Sequence, residues 1–279
     1  MGNITITSDF GYSGTAAAEL LGVLRQFFPN DNITEVTHEA THGDIVQLTS
    51  LVRRLYRYYP TGTIHLLAAD EGYSAYHKGL LITYWQEQFW VAPDNGTLFV
   101  LTENSRQPTH WIEPTQEHWP WLYAKAAQQI YNNSKLTDIQ LHKNPMVKLW
   151  PYPTTTKDSI NGTVLYADKQ GNFITNISRQ EMESVGKNRP AKLFIRSAKQ
   201  EIIYKSLFET PNGNIYVGFG SNDLLKVCIR NGEAFKLLSA EKEDLFTIEF
   251  SPINDNPDKE NPKYNLSFSI ENEIHHIKP

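Results

Sequence analysis

Residues 63–74 read Thr63-Ile64-His65-Leu66-Leu67-Ala68-Ala69-Asp70-Glu71-Gly72-Tyr73-Ser74. The first seven form an apolar run of strand length and read as a buried strand. Glu71-Gly72-Tyr73-Ser74 then reads as a turn. Asp70 therefore stands at the C-terminal end of a strand, where open α/β sheets form the crevice that takes ligands. Capping of the turn is the plainer use of an aspartate at such a place.

Working outward, the flanking segments alternate between the two periods. Ile and Thr alternate over residues 4–7, a strand pattern. Residues 15–28 are rich in helix formers and stop before Pro29. A short strand is predicted over 33–36. Asp44 is placed to cap a helix carrying Ile45, Leu48, Leu51, Val52 and Leu55 on one face, ending before Pro60. Strands are predicted near 79–84 and 88–92, extended chain over 97–101 and 109–112, and a helix over 119–132 with Pro120 in its first turn. This alternation predicts an α/β N-terminal domain, residues 1–145, with a mostly parallel sheet.

The texture changes at Asn144-Pro145, Trp150-Pro151-Tyr152-Pro153 and Thr154-Thr155-Thr156, so residues 146–160 read as a linker. Beyond it, strands are expected over 162–167, 172–176, 191–196, 200–206, 213–218, 223–229 and 245–250, parted by Gly/Asn turns. That predicts a small all-β, barrel-like C-terminal domain over 161–251. Residues 252–279 read as an extension, opening on a flexible connector and holding one further strand near 264–270.

The 279 residues carry a net charge of −5, which argues against a nucleic-acid binder. The single cysteine, Cys228, excludes an internal disulfide and sits in an apolar run, as a buried structural thiol would. No stretch is long and apolar enough to span a bilayer, and Met1-Gly2-Asn3-Ile4-Thr5 lacks a leader pattern. A soluble cytoplasmic protein is expected. There is no HExxH, Cys/His cluster, P-loop or G-x-S-x-G, and His275-His276 is too isolated to suggest a metal site, so neither a metal nor a resident cofactor is expected.

Four loops could carry chemistry. Thr7-Ser8-Asp9-Phe10-Gly11 follows the first strand, so Asp9 stands at a strand end as Asp70 does, and a carboxylate there can accept hydrogen bonds from ribose hydroxyls. A turn or cap is the alternative use. Gly11 and Gly14 do not complete a GxGxxG, which excludes an ordinary dinucleotide site. Pro93-Asp94-Asn95-Gly96 is a tight-turn signal and reads as structural. Asp168-Lys169-Gln170-Gly171-Asn172 and Gly220-Ser221-Asn222-Asp223 read as polar hairpin turns. His118, before Trp119-Pro120-Trp121, stands at a helix start and could bind an anion or relay a proton. His38 and His42 read as packing or surface residues.

These segments, in this order, resemble the S-adenosyl-L-methionine hydroxide adenosyltransferase family, whose relatives include the fluorinase and chlorinase. The resemblance runs from residue 3 to about 250. It rests on Thr7-Ser8-Asp9-Phe10-Gly11, Val36-Thr37-His38-Glu39, Asp44-Ile45, Tyr59-Pro60-Thr61-Gly62-Thr63-Ile64-His65, Pro93-Asp94-Asn95-Gly96 and Asp168-Lys169-Gln170-Gly171-Asn172-Phe173-Ile174-Thr175-Asn176-Ile177. It implies hydrolysis of S-adenosyl-L-methionine to adenosine and L-methionine, and a homotrimer with sites between subunits. In the family an Asp-Arg-His set surrounds the attacking water. Asp70 matches the Asp and His118 the His, whereas the Arg position is His77, followed by Lys78. Among substrate-binding positions, Asp9 with Phe10 matches the ribose motif, Asp168 and Ser221 match positions holding the methionine amino and carboxylate groups, and Asn172 one near the adenine. Gly14 stands where the family usually has an acidic residue, and Asn222 where the halogenases have an arginine. The resemblance leaves two alternatives: an adenosyl-compound-binding protein with impaired catalysis, or transfer of the adenosyl group to another nucleophile such as halide. Retention of Asp70 and His118 argues against the latter.

Overall fold

Alternating Ile and Thr produce β1 (Asn3–Ser8), which is buried on both faces from Ile4 onward. The computed structural model describes residues 2–69, 78–114, 118–187, 189–196, 198–202 and 206–252. They fall into two compact units that divide after Trp150.

In the first unit, β1 is followed by α1 (Ala16–Phe27), β2 (Asn32–Thr37), α2 (Ile45–Val52), a 3₁₀ turn at Leu55–Tyr58, β3 (Ile64–Ala68), β4 (Leu80–Trp85), β5 (Gln88–Pro93), α3 (Thr97–Leu101), β6 (His110–Ile112) and α4 (Trp119–Asn132). The sheet order is β2-β1-β3-β5-β4-β6. The pairs β1–β2, β1–β3 and β3–β5 are parallel, whereas β4 runs antiparallel to both β5 and β6. Leu20 and Leu24 of α1 pack with Tyr123 and Ala127 of α4 against Ile4, Ile6, Leu66, Ile82 and Val91. That apolar stripe at helical spacing is why α1 and α4 lie on the sheet.

Two expectations for this unit need correction. Residues 97–101 are a short helix and not extended chain. Thr-Leu-Phe-Val-Leu has strand propensity, but Gly96 turns the chain at φ +93° and the Asn95 side chain accepts the Thr97 N–H, which starts a helical turn. The helix capped by Asp44 ends at Val52, short of Leu55, and the chain continues as the 3₁₀ turn.

The second unit is antiparallel. It contains β7 (Thr154–Thr155), β8 (Ser159–Ala167), β9 (Phe173–Ser178), α5 (Arg179–Gly186), β10 (Ala191–Ile195), β11 (Ala198–Ile202), β12 (Ile215–Phe219), β13 (Leu224–Ile229), α6 (Ala234–Leu237) and β14 (Leu245–Phe250). Its strands form a curled sheet in the order β11-β10-β14-β8-β9-β13-β12, with β7 paired to β8. The unit is therefore mainly β, not all-β, because α5 and α6 interrupt it. Phe173, Leu193, Val217, Val227, Phe246 and Ile248 fill its core. Chain read as linker contains β7 and the start of β8. Of the strand expected at 200–206, residues 200–202 lie in β11, 203–205 lie outside the described residues and Ser206 is a bend; the strand expected near 264–270 lies outside the described residues.

Candidate active site

Asp9 leaves β1 with its N–H donating to the Ala68 carbonyl at 3.2 Å, so it emerges beside the end of β3. Its side chain is only 1% exposed. The carboxylate Oδ2 accepts the Gly43 N–H at 2.7 Å, and the exposed His42 Nδ1 lies 3.2 Å from the same oxygen. A buried carboxylate is costly unless donors such as these satisfy it. The loop that supplies Gly43 is itself tied down: the Asp44 side chain accepts the Gln47 N–H, and the Gln47 Oε1 accepts the Thr41 N–H at 2.7 Å.

The Phe10 ring stacks on His38 (5.9 Å between centroids, 10° between planes) and tilts against Trp119 at 5.0 Å. Trp119 in turn lies 5.9 Å from the ring of His118. A run of rings thus links the Asp9 loop to the start of α4. The His118 side chain is 59% exposed, with Nε2 3.9 Å from Oε2 of Glu19 on α1. Asp9, Phe10 and His118 are brought to one end of the first sheet.

The end of β3 is held from two sides. The Asn95 side chain donates to the Ala69 carbonyl at 2.9 Å, and the Tyr123 hydroxyl donates to the Leu67 carbonyl at 3.1 Å. Asp70 follows Ala69 in the chain, and both Asp70 and His77 lie outside the described residues. Lys78 precedes β4, and its carbonyl accepts the Trp111 indole N–H at 3.0 Å. At Gly79, φ is +84° and an added Cβ would collide with the Ile112 carbonyl, so only glycine fits between Lys78 and β4. Asp94 is structural, as expected: its carboxylate accepts the Met146 N–H at 2.7 Å and lies 3.1 Å from His142 Nε2. The tie from Asn95 to the end of β3 was not legible in the sequence, since its partner is 26 residues away.

In the second unit, Asp168 and Asn172 close the β8–β9 hairpin, with the Asp168 N–H donating to the Asn172 carbonyl at 2.8 Å. Gly171 sits at φ +74°, where its α-carbon faces Glu233 too closely for a side chain. The Asp168 carboxylate is densely engaged. Oδ1 accepts the backbone N–H groups of Gln170 and Asn172, the Asn172 amide reaches both oxygens, and Lys226 Nζ lies 2.8 Å from Oδ2. Burial opposes ionisation of this group, but the bonds from Lys226 and Asn172 outweigh it and hold the carboxyl below the usual range.

Ser221 is exposed in the β12–β13 turn, where the Asp223 N–H donates to the Gly220 carbonyl. The register places Val227 opposite Phe173 and Leu224 opposite Ser178. Asp168 and Ser221 therefore flank opposite ends of β9, on the order of 15 Å apart along the strand. Asp168 meets Asn172 and Lys226, not Ser221. Cys228 is buried, and burial pushes its thiol up to about 11, as suits an inert packing residue.

Among the described residues, no group of three or more His, Cys, Asp or Glu side chains could hold a metal ion, and no helix is long and apolar enough to cross a membrane.

Residues 4–139 match the family model of the SAM hydroxide adenosyltransferase N-terminal domain, and residues 162–247 that of the C-terminal domain. The chain is 26% identical over 267 residues to the (R)-S-adenosyl-L-methionine hydrolase of Methanocaldococcus jannaschii, covering 88% of this chain and 95% of that one. Two crystal structures share the fold. An uncharacterized conserved protein from Thermotoga maritima superposes with a TM-score of 0.77 at 20% identity, covering 88% of this chain and 99% of the other. A conserved hypothetical protein from Thermus thermophilus does so with a TM-score of 0.69 at 20% identity, covering 90% and 100%.

Proposed function

This chain belongs to the SAM hydroxide adenosyltransferase family, and on that premise we propose that it hydrolyses S-adenosyl-L-methionine to adenosine and L-methionine. The observation that carries the reading is Asp9: a buried carboxylate at the C-terminal end of a parallel strand inside the sheet, held by the Gly43 N–H, and acidic residues at such a place accept hydrogen bonds from ribose hydroxyls. Ribose 2′- and 3′-hydroxyls are such donors. Phe10 and Trp119 supply aromatic surface beside it.

In the reaction a water oxygen bonds to ribose C5′ as the C5′–S bond breaks. The bonding pair returns to sulfur, so the cationic sulfonium leaves as a neutral thioether. Because the leaving group is cationic before it departs and neutral afterwards, it needs no general acid. The residues have to position the reactants, exclude bulk water and take one proton from the attacking water. Asp70 is assigned to orient and deprotonate that water, with His118 assisting. His77 or Lys78 supplies the positive charge that an arginine gives in the family. Asn172 is assigned to the adenine side, and Asp168 and Ser221 to the amino-acid end. Because Asp168 and Ser221 flank opposite ends of β9, that last assignment asks one ligand to reach both, or two copies of the chain to share it. The family resemblance reads the assembly as a trimer, which light scattering would report as three times the 31.9 kDa chain. A monomer mass would sink that part of the reading.

A second reading, binding of an adenosyl compound without turnover, draws support from Lys226, which already engages the Asp168 carboxylate that an ammonium would need.

The test is incubation of the purified protein with S-adenosyl-L-methionine and chromatography of the products. Hydrolysis gives adenosine and methionine in equal amounts. Asp70→Ala is expected to lower turnover by about 100-fold or more while adenosine still binds. Wild-type protein that binds adenosine yet forms none would favour the second reading, and undiminished turnover in Asp70→Ala would remove Asp70 from the mechanism.

A further inference from the structure

We propose that His38 is a positioning residue for Asp9, acting through a hydrogen-bond relay from Ser8 through His38 to Glu35. Its consequence for nucleoside binding rests on the functional reading above. Ser8 and His38 are both 0% exposed. Ser8 Oγ lies 2.6 Å from His38 Nδ1, and His38 Nε2 lies 2.9 Å from Glu35 Oε1.

One set of protons satisfies every atom. The Phe10 N–H donates to Ser8 Oγ at 3.3 Å, which uses that oxygen as an acceptor. The Ser8 hydroxyl proton then goes to Nδ1, so the imidazole carries its proton on Nε2 and donates it to the Glu35 carboxylate. All donors point the same way and the series ends on a charge, the arrangement in which such bonds strengthen one another. Were Nδ1 the donor instead, the Ser8 hydroxyl proton would be buried with no acceptor among the described residues.

The relay grips Asp9 from both sides in the chain. Ser8 precedes it, and its hydroxyl is fixed by His38. Phe10 follows it, with its N–H on Ser8 and its ring on the imidazole. The Gly11 N–H donates to the His38 carbonyl at 2.6 Å, and the Ala40 N–H to the Ser8 carbonyl at 3.4 Å. Asp9 itself reaches across to Gly43, in the same loop that follows His38. The parallel strands β1 and β2 bring these two loops side by side, and His38 joins them through Nδ1 and its ring, while Nε2 anchors the imidazole to Glu35 of its own strand β2. Packing alone would ask for the ring and not for the nitrogens.

The experiment compares four variants. His38→Phe keeps the ring and removes both nitrogens. Ser8→Ala removes the hydroxyl, Ser8→Thr retains it, and Glu35→Gln removes only the charge. Hydrogen exchange on the unliganded protein should be about tenfold faster at the Phe10, Gly11 and Gly43 amides in His38→Phe and Ser8→Ala, with the Ile4 and Ile6 amides unchanged. Adenosine dissociation constants, by calorimetry, should rise about tenfold in the same two variants, the size of one lost hydrogen bond. The double variant should be no worse than either single one, and Ser8→Thr should match wild type. In S-adenosyl-L-methionine turnover KM should rise more than kcat falls. If wild type binds no adenosine, the functional reading fails and the exchange data alone decide: faster loop exchange upholds the relay, unchanged exchange overturns it. If His38→Phe does not fold, Ser8→Ala carries the same readouts. Loop exchange and adenosine affinity within twofold of wild type in folded His38→Phe or Ser8→Ala would overturn the proposal.

Discussion

His65 lies in the middle of β3, fully buried, with its ring stacked on Trp90 at 4.1 Å and Nδ1 2.7 Å from Thr5 Oγ1. Burial pushes its pKa down from 6.5 to about 3. The folded protein therefore holds it neutral where the unfolded chain would protonate it. The stability this confers is complete above pH 6.5 and is lost progressively as pH falls from 6.5 toward 3. At pH 4.5 the loss is on the order of 2–3 kcal/mol. In His65→Gln that part of the acid sensitivity should vanish, so urea titrations at pH 7 and pH 4.5 should differ by correspondingly less than in wild type. An identical pH slope would show that His65 does not titrate on unfolding. At Lys226 the question is recognition. An ammonium approaching Asp168 meets a like charge 2.8 Å from the carboxylate. Lys226→Met should tighten S-adenosyl-L-methionine several-fold while leaving adenosine affinity unchanged. If both ligands respond alike, Asp168 does not read the amino group. Residue positions were legible where a strand end declares them, as at Asp9 after β1. Contacts were hidden where the partner is distant in sequence: nothing near His38 announces Ser8, 30 residues away.

Elements were legible in proportion to their period. The amphipathic stripes of α1 and α4 and the apolar run of β3 each announce themselves within one window. The helix α5 did not, because its residues are polar and only Met182 and Gly186 are buried. A signal was nonetheless present. Ser178 and Glu181 form a capping box, with the Ser178 side chain on the Glu181 N–H and the Glu181 carboxylate on the Ser178 N–H. The four-residue α6 is too short for any period to show. What fastens α5 is equally non-local. The Arg189 guanidinium is buried and donates to the carbonyls of Val185, Gly186, Lys157 and Ser251 and to the Asp158 carboxylate at 2.6 Å, with Phe250 beneath it at 5.3 Å. A planar fork with five donors fits that set, and neither lysine nor an apolar chain reproduces it. Loss of it leaves several buried acceptors unpaired, a cost of about 3 kcal/mol or more.

At the scale of the molecule, the sequence separated the α/β half from the β half because helix-period segments give way to short strands near residue 150. The positions of individual turns relative to one another were not legible: Asp168 and Ser221 look alike as polar hairpins, and only the register of β13 on β9 sets them at opposite ends. Each half also closes its own core. The residues packed around Ile6 and Leu66 all belong to the first unit, and those around Phe173 and Phe246 all to the second. Such cores should melt as separate cooperative blocks, so that the calorimetric enthalpy exceeds the van't Hoff enthalpy. Each block carries its own handle. Acidification toward pH 4.5 should lower the transition that contains His65 in β3, whereas Arg189→Met should lower the transition that contains α5 and leave the other in place. Scanning calorimetry of wild type and Arg189→Met at pH 7 and pH 4.5 distinguishes the cases. Two transitions that move independently fit two separate cores; a single transition displaced as a whole by either change would mean that the halves unfold as one.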